Sequence, residues 1–194
     1  MLTDDAFGPT PLIRGELVTL EPLGPGHLDP YLAMLAEPEG IRFTGSGGRQ
    51  FSAEVTAQWL ASRADQHDRA DFAIVAAAGV EFLGEAVLNE FDPGVAAANY
   101  RIALGGGAIY GRGIGTEATR MVVEYGFDTV GLHRIHLEVF AMNPRARRVY
   151  EKCGFRYEGT RRDAHHDADG WHDVIGMALL AGDPRADTGA PGPL

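Results

Sequence analysis

The chain has 194 residues, 45% of them apolar, enough to bury one substantial core and ordinary for a globular domain. A formal net charge of −10 argues against a general nucleic-acid binder and mildly favours cationic partners such as amines. No run approaches the roughly 18–20 apolar residues of a membrane helix, the acidic start is unlike a signal peptide, and the single cysteine, Cys153, fits a reducing compartment. A cytoplasmic protein with no nucleic-acid or membrane partner is therefore expected.

Residues 1–11 read as a loose leader. Residues 14–23 alternate enough for a strand. Residues 25–37 start with Pro25 and carry Leu28, Tyr31, Leu32 and Leu35 at helical spacing. The Gly- and Arg-rich stretch 38–50 reads as a loop. Residues 52–68 open with Ser52, a good N-cap, and place Val55, Trp59 and Leu60 on one side of a helix. Residues 72–78 and 80–89 read as two tightly joined strands, followed by an Asp92-Pro93-Gly94 turn and a short strand at 99–104. A helix over 115–130 follows, with Ala118, Met121, Val122 and Tyr125 inside and Glu117 outside. Residues 134–140 form a strand with Ile135, Leu137 and Val139 on one face. Asn143 and Pro144 then start a helix as N-cap and first helical residue, and Gly154 stops it. Two final strands, 155–163 and 171–180, flank a polar loop. The Pro- and Gly-rich end, 182–194, reads as a disordered tail.

The stretch "YGRGIGTEATR" (110–120) alternates Gly111, Gly113 and Gly115 just before a helix. The first N–H groups of a helix lack internal partners and sit at the positive end of its dipole, which makes an anion site. Glycines let a phosphate approach the backbone closely, and Arg112 adds a forked donor. A plain glycine turn is the bland alternative. No P-loop lysine is present. Gly113-x-Gly115-x-x-Ala118 matches a dinucleotide fingerprint, but it stands too far from the preceding strand, and the next strand lacks the terminal acid. A nicotinamide-dinucleotide oxidoreductase is kept as a minor alternative.

The segment "NPRARRVYEKCGF" (143–155) adds a second signal. Together, "YGRGIGTEA" and N-x-x-A-x-x-x-Y-x-K-x-G-F resemble the GNAT family of acetyl-CoA-dependent N-acyltransferases, in the branch that includes ribosomal-protein N-terminal acetyltransferases. The resemblance covers about 12–181 as a single domain, and its specific part is 99–157. It implies an α+β, three-layer fold: a mixed, mostly antiparallel twisted sheet of about seven strands with helices on both faces. The strand before the glycine loop would bulge and splay from the next, opening a cleft between 99–104 and 134–140.

By the same resemblance, the backbone of Ile102, Ala103 and Leu104 would pair with the pantetheine arm of acetyl-CoA. The N–H groups of Arg112, Gly113, Ile114, Gly115 and Thr116 would hold the pyrophosphate. Asn143 would bond the cofactor arm, and Tyr150 would protonate the departing thiolate. Of the crowded Arg145, Arg147 and Arg148, Arg148 is the first choice for a phosphate contact. The family's usual strand carboxylate is replaced by Asn99, so Glu85, Glu90 and Asp173 are the candidate bases, with ordered water as another route. His165, His166 and His172 lie in a polar loop without metal-ligand spacing, so no metal is expected. The expected co-substrate is acetyl-CoA. The expected partner is a small-molecule or peptide amine, and a homodimer is left open. A non-catalytic acyl-CoA-binding module is the second alternative.

Overall fold

The computed structural model describes residues 2–44 and 52–185. Its strands are β1 (Ile13–Arg14), β2 (Val18–Pro22), β3 (Ala70–Ala76), β4 (Phe82–Asp92), β5 (Ala97–Leu104), β6 (Arg134–Phe140), β7 (Arg156–Asp167) and β8 (Gly170–Leu180). Its α-helices are α1 (Leu28–Leu35), α2 (Pro38–Thr44), α3 (Ala53–Ala61), α4 (Ile114–Glu124) and α5 (Pro144–Lys152). The strands form one sheet in the order β1-β2-β3-β4-β5-β6-β8-β7. Every neighbouring pair is antiparallel except β5–β6.

The mixed sheet and its three layers match the expected class. One side carries the larger core, where Ala118, Val122 and Tyr125 of the α4 segment and Tyr150 of α5 meet Tyr100, Ile135 and Leu137. The other side carries a smaller core of Leu23, Tyr31, Met34, Leu60 and Ala73 beneath α1 and α3. Eight strands replace about seven because the segment read as one strand at 14–23 divides. The Gly15 N–H donates to the Val18 carbonyl (2.8 Å), turning Ile13 and Arg14 back onto Leu20 and Thr19.

Several boundaries differ from the sequence reading, each for a local reason. Part of the loop expected at 38–50 is helix α2, since proline is well tolerated at a first helical position; the rest, 45–50, lies outside the described residues. Helix α3 stops at Ala61, and Thr56 and Leu60 are its buried residues, while Val55 is 61% exposed. Helix α4 continues as π-helical turns over Tyr125–Val130. The polar loop expected between the last strands is mostly strand, because β7 runs to Asp167 and β8 restarts at Gly170. The leader is anchored: Phe7 is buried edge-on to Phe91, and the Tyr125 hydroxyl donates to the Phe7 carbonyl (2.9 Å). At the other end Arg185 pairs with Asp128 (2.8 Å), and residues 186–194 of the expected tail lie outside the described residues.

Two contacts fix the parts that shape the cleft. Glu117, expected on the outer face of its helix, instead accepts from the N–H groups of Glu16, Leu17 and Val18 (2.7, 2.8 and 2.9 Å) and ties the start of α4 to β2. The bulge expected in the strand before the glycine loop falls on β4 instead. There the register shifts opposite Ile74 and Val75, around Leu83, and again between Asn89 and Asp92. At the first bulge Gly84 adopts φ +155°, and a Cβ there would lie 2.1 Å from the Ala103 carbonyl oxygen. Gly84→Ala is therefore expected to lose about 2–3 kcal/mol. In calorimetry the melting point should fall by roughly 5–10 °C.

Candidate active site

β5 and β6 pair through only three residues, Ala97↔Arg134, Ala98↔Ile135 and Asn99↔His136. Beyond them both strands continue, to Leu104 and Phe140, without bonding to each other. A cavity of about 740 Å³ occupies the gap, bordered by Arg101–Leu104 on one side and Glu138–Phe140 on the other. The aromatic rings of Tyr100, Tyr150 and Phe155 meet beside the gap, with centroids 6.0–6.3 Å apart.

The open edge of β5 has a definite polarity. The Gly105 N–H donates to the Leu83 carbonyl (2.8 Å), toward β4. Backbone groups alternate sides along a strand, so those of Arg101 and Ala103 also face β4. The N–H and C=O groups of Ile102 and Leu104 face the cleft. Of the three residues expected to pair with a cofactor arm, Ala103 is thus turned the other way.

At the far end of β5 the chain enters the glycine loop and α4. Gly113 is the N-cap of α4 in a left-handed conformation (φ 86°). The N–H groups of Thr116 and Glu117 both return to the Gly113 carbonyl at 3.0 Å. Ile114 and Gly115, the first two helical residues, have no carbonyl one turn behind them to bond. A Cβ at Gly111, which also borders the cavity, would meet nothing within 4 Å, so this backbone faces open space. The cradle fits an anionic group. Among the expected donors, Gly113, Ile114, Gly115 and Thr116 border the cavity, whereas Arg112 is exposed and does not. The Tyr100 hydroxyl lies 3.0 Å from Thr119 Oγ1, which donates to the Gly115 carbonyl, and this chain couples β5 to the first turn of α4.

Helix α5 closes the third side. The Asn143 side chain accepts from the Ala146 N–H (3.1 Å), so the N-cap role is realised, and Asn143 also borders the cavity. The Tyr150 ring is buried at 6% exposure and lines the cavity; among the described residues its hydroxyl has no hydrogen-bond partner. Burial, with a smaller effect of nearby Cys153, pushes that hydroxyl well above the ordinary tyrosine range, so it keeps its proton at neutral pH. The three arginines separate clearly. Arg145 bridges to Glu39 (2.9 Å) and lies over the Tyr110 ring (3.6 Å), and Arg147 pairs with Glu151 (2.8 Å). Arg148 borders the cavity and makes no ion pair among the described residues.

The candidate bases also separate. Glu90 is exposed in the second β4 bulge with φ 52°, and Asp173 accepts from the Asp163 N–H (3.0 Å); neither borders the cleft. Glu85 is 2% exposed and lines a second, smaller cavity of about 310 Å³ under α1 and α3. Both of its oxygens are engaged, by Arg101 (2.8 Å) and by the Tyr31 hydroxyl (3.0 Å). Sequence reasoning missed Tyr31, Trp59 and Arg101. Tyr31 lay on a recognised helical stripe, but nothing local marks it as facing a cavity.

The histidine-rich hairpin is held by its own contacts. His172 pairs with Asp167 (2.8 Å), His165 stacks on Phe140 (4.2 Å), and Arg42 of α2 reaches Asp169 (2.6 Å). No helix among the described residues is long and apolar enough to cross a membrane. β5–β6 is the sole parallel pair in the described sheet, unlike the doubly wound sheet a nicotinamide-dinucleotide enzyme uses.

Residues 18–156 match the family model of the acetyltransferase (GNAT) domain. The chain belongs to the GNAT family. It is 43% identical over 70 residues to "Probable N-acetyltransferase YjcK" of Bacillus subtilis, a match covering 36% of this chain and 39% of that protein. It is 33% identical over 70 residues to a spermidine N(1)-acetyltransferase of Vibrio cholerae, covering 36% and 40%. The chain thus spans well under half the length of these relatives. In fold it resembles a spermidine N-acetyltransferase of Vibrio cholerae solved in complex with CoA and spermine, with TM-score 0.77 and 22% identity over 86% of this chain and 97% of that one.

Within this GNAT domain Cys153 is a packing residue. Its Sγ donates to the Thr116 carbonyl (3.6 Å), and burial pushes its thiol up to about 11. A raised value leaves almost no thiolate at pH 8, and thiolate is the reactive form. The folded protein should therefore react with a thiol reagent at pH 8 at least ~100-fold more slowly than the urea-unfolded chain. Equal rates would place Cys153 among reactive groups.

Proposed function

We propose that the protein is an acetyl-CoA-dependent N-acetyltransferase acting on a primary amine by direct attack. The observation that carries this reading is one cleft that combines an unpaired strand edge, a bare helix N-terminus and a buried tyrosine hydroxyl with no partner among the described residues. Each feature meets a different part of the co-substrate. The groups of Ile102 and Leu104 suit the amides of the pantetheine arm. The N–H groups around Gly113–Gly115, with Arg148 at the rim, suit the phosphates. Asn143 bonds the arm through its side-chain amide while its oxygen caps α5, a reading supported by its place at the cavity border.

In the reaction the neutral amine nitrogen attacks the thioester carbonyl carbon. Backbone N–H groups on the open edge of β5 stabilise the oxyanion. The C–S bond then breaks, and Tyr150 donates its proton to the leaving sulfur. The amine's proton leaves to water, and a proton returns from water to the Tyr150 phenolate, which restores the phenol. Glu85 is a poor acceptor for it, because a guanidinium and a phenol already hold its oxygens. Most of the acceleration comes from holding amine and thioester together. Membership in the GNAT family and likeness in fold to a structure in complex with CoA support this reading. A non-catalytic CoA-binding module would have no use for a cavity-facing Tyr150 hydroxyl.

Tyr150→Phe is expected to lower kcat by about 10²-fold or more. CoA affinity by calorimetry should stay within about threefold of the unaltered protein. Unchanged turnover in that variant would remove Tyr150 from the chemistry.

A further inference from the structure

The second cavity bears on which amine the proposed acetyltransferase accepts, and its assignment rests on that activity. The two cavities meet along β5, where Arg101, Ala103 and Leu104 border both. Side chains alternate faces along the strand: Tyr100, Ile102 and Leu104 belong to the larger core, and Ala103 packs on the smaller one. The larger cavity reaches round the open edge. The smaller one lies on the opposite sheet face, beneath α1 and α3. A molecule seated there would present one end to the β5 edge, where the thioester is expected.

Three carboxylates border the two cavities, Glu39, Glu85 and Glu138. Each is already paired to an arginine: Glu39 to Arg145 (2.9 Å), Glu85 to Arg101 (2.8 Å) and Glu138 to Arg161. The stretch 45–51 contains no acidic residue. Among the described residues a long polycation therefore finds no unpaired carboxylate along either cavity, although the whole chain is acidic. The smaller cavity is instead walled by Tyr31, Trp59, Met34 and Ile41, with the Tyr31 and Trp59 rings 5.4 Å apart.

We infer that the acceptor is a monoamine with an apolar, flat body that lies against Tyr31 and Trp59 and projects its single amino group toward the edge of β5. The Glu85–Arg101 pair closes the polar end of the cavity as a neutral unit. A second cationic group on the acceptor would be desolvated there without a partner. The chemistry is shared by free arylalkylamines and by peptides with an aromatic first residue.

Two readouts test this, and the first does not depend on turnover. The chain has two tryptophans, and Trp171 is exposed on the β7–β8 hairpin outside both cavities. In a Trp171→Phe background, with CoA present, 2-phenylethylamine should change Trp59 fluorescence saturably and spermidine should not. In turnover with acetyl-CoA, 2-phenylethylamine or a Phe-headed dipeptide should exceed spermidine and a Gly-headed dipeptide in kcat/KM by at least ~10-fold. The two favoured substrates distinguish free from peptide amines. Trp59→Ala should raise the KM for the favoured amine ~10-fold while leaving the KM for acetyl-CoA within about twofold. Absence of CoA binding would defeat the acetyltransferase reading itself. CoA binding with spermidine preferred or equal, or with no response of Trp59 to the aryl amine, would overturn the acceptor inference alone.

Discussion

The structure turns on one unmet demand of the backbone. A strand inside a sheet has its N–H and C=O groups paired on both sides. β5 obeys this up to Asn99 and then loses its neighbour, because β6 diverges after His136. Tyr100, Tyr150 and Phe155 pack together beside the divergence as an aromatic cluster. The same strand leads into the glycine loop, and the Tyr100–Thr119–Gly115 chain holds the first turn of α4 in register with it. An edge that needs hydrogen bonds and a helix start that needs an anion are thus set side by side.

The sheet also separates two chemical environments. On the α4 and α5 side, basic groups and bare N–H donors collect around the larger cleft, with Arg148 and Lys152 at its border. On the α1 and α3 side, the charged pair that borders the smaller cavity, Glu85 with Arg101, is internally compensated, and aromatic and aliphatic side chains make up most of the remaining wall. Net charge summed over the chain therefore says little about either cavity. What matters is which carboxylates are already paired, and among the described residues all three at the cavities are. This division agrees with a reaction that brings an anionic carrier from one side and an amine from the other.

The second half of the chain was far more legible than the first. The glycine alternation at 111–115 and the Asn143-Pro144 helix start are local signals whose mechanism is backbone geometry, so they can be read without tertiary contacts. Burial of Tyr150 follows from helical spacing in the same way. The placement of Glu85 could not be read, because it depends on a bulge in β4 and on Tyr31 and Arg101 arriving from separate elements. Glu117 looked like an outer-face residue by periodicity, and its role appears only when β2 supplies three N–H groups to it. Arg112 looked like a phosphate ligand by adjacency, yet it is exposed and stands outside the residues that border the cleft. Long-range pairing decided the placement of Glu85 and Glu117, and local pattern carries no record of it.

The central claim is that the free edge of β5 and the start of α4 bind one molecule together. Amide hydrogen exchange, followed residue by residue with and without CoA, addresses it most directly. The account predicts that CoA slows exchange at Ile102, Leu104, Ile114 and Gly115, while Ala103, already turned toward β4, changes little. Protection confined to only one of the two elements, or none at these four amides at saturating CoA, would contradict it.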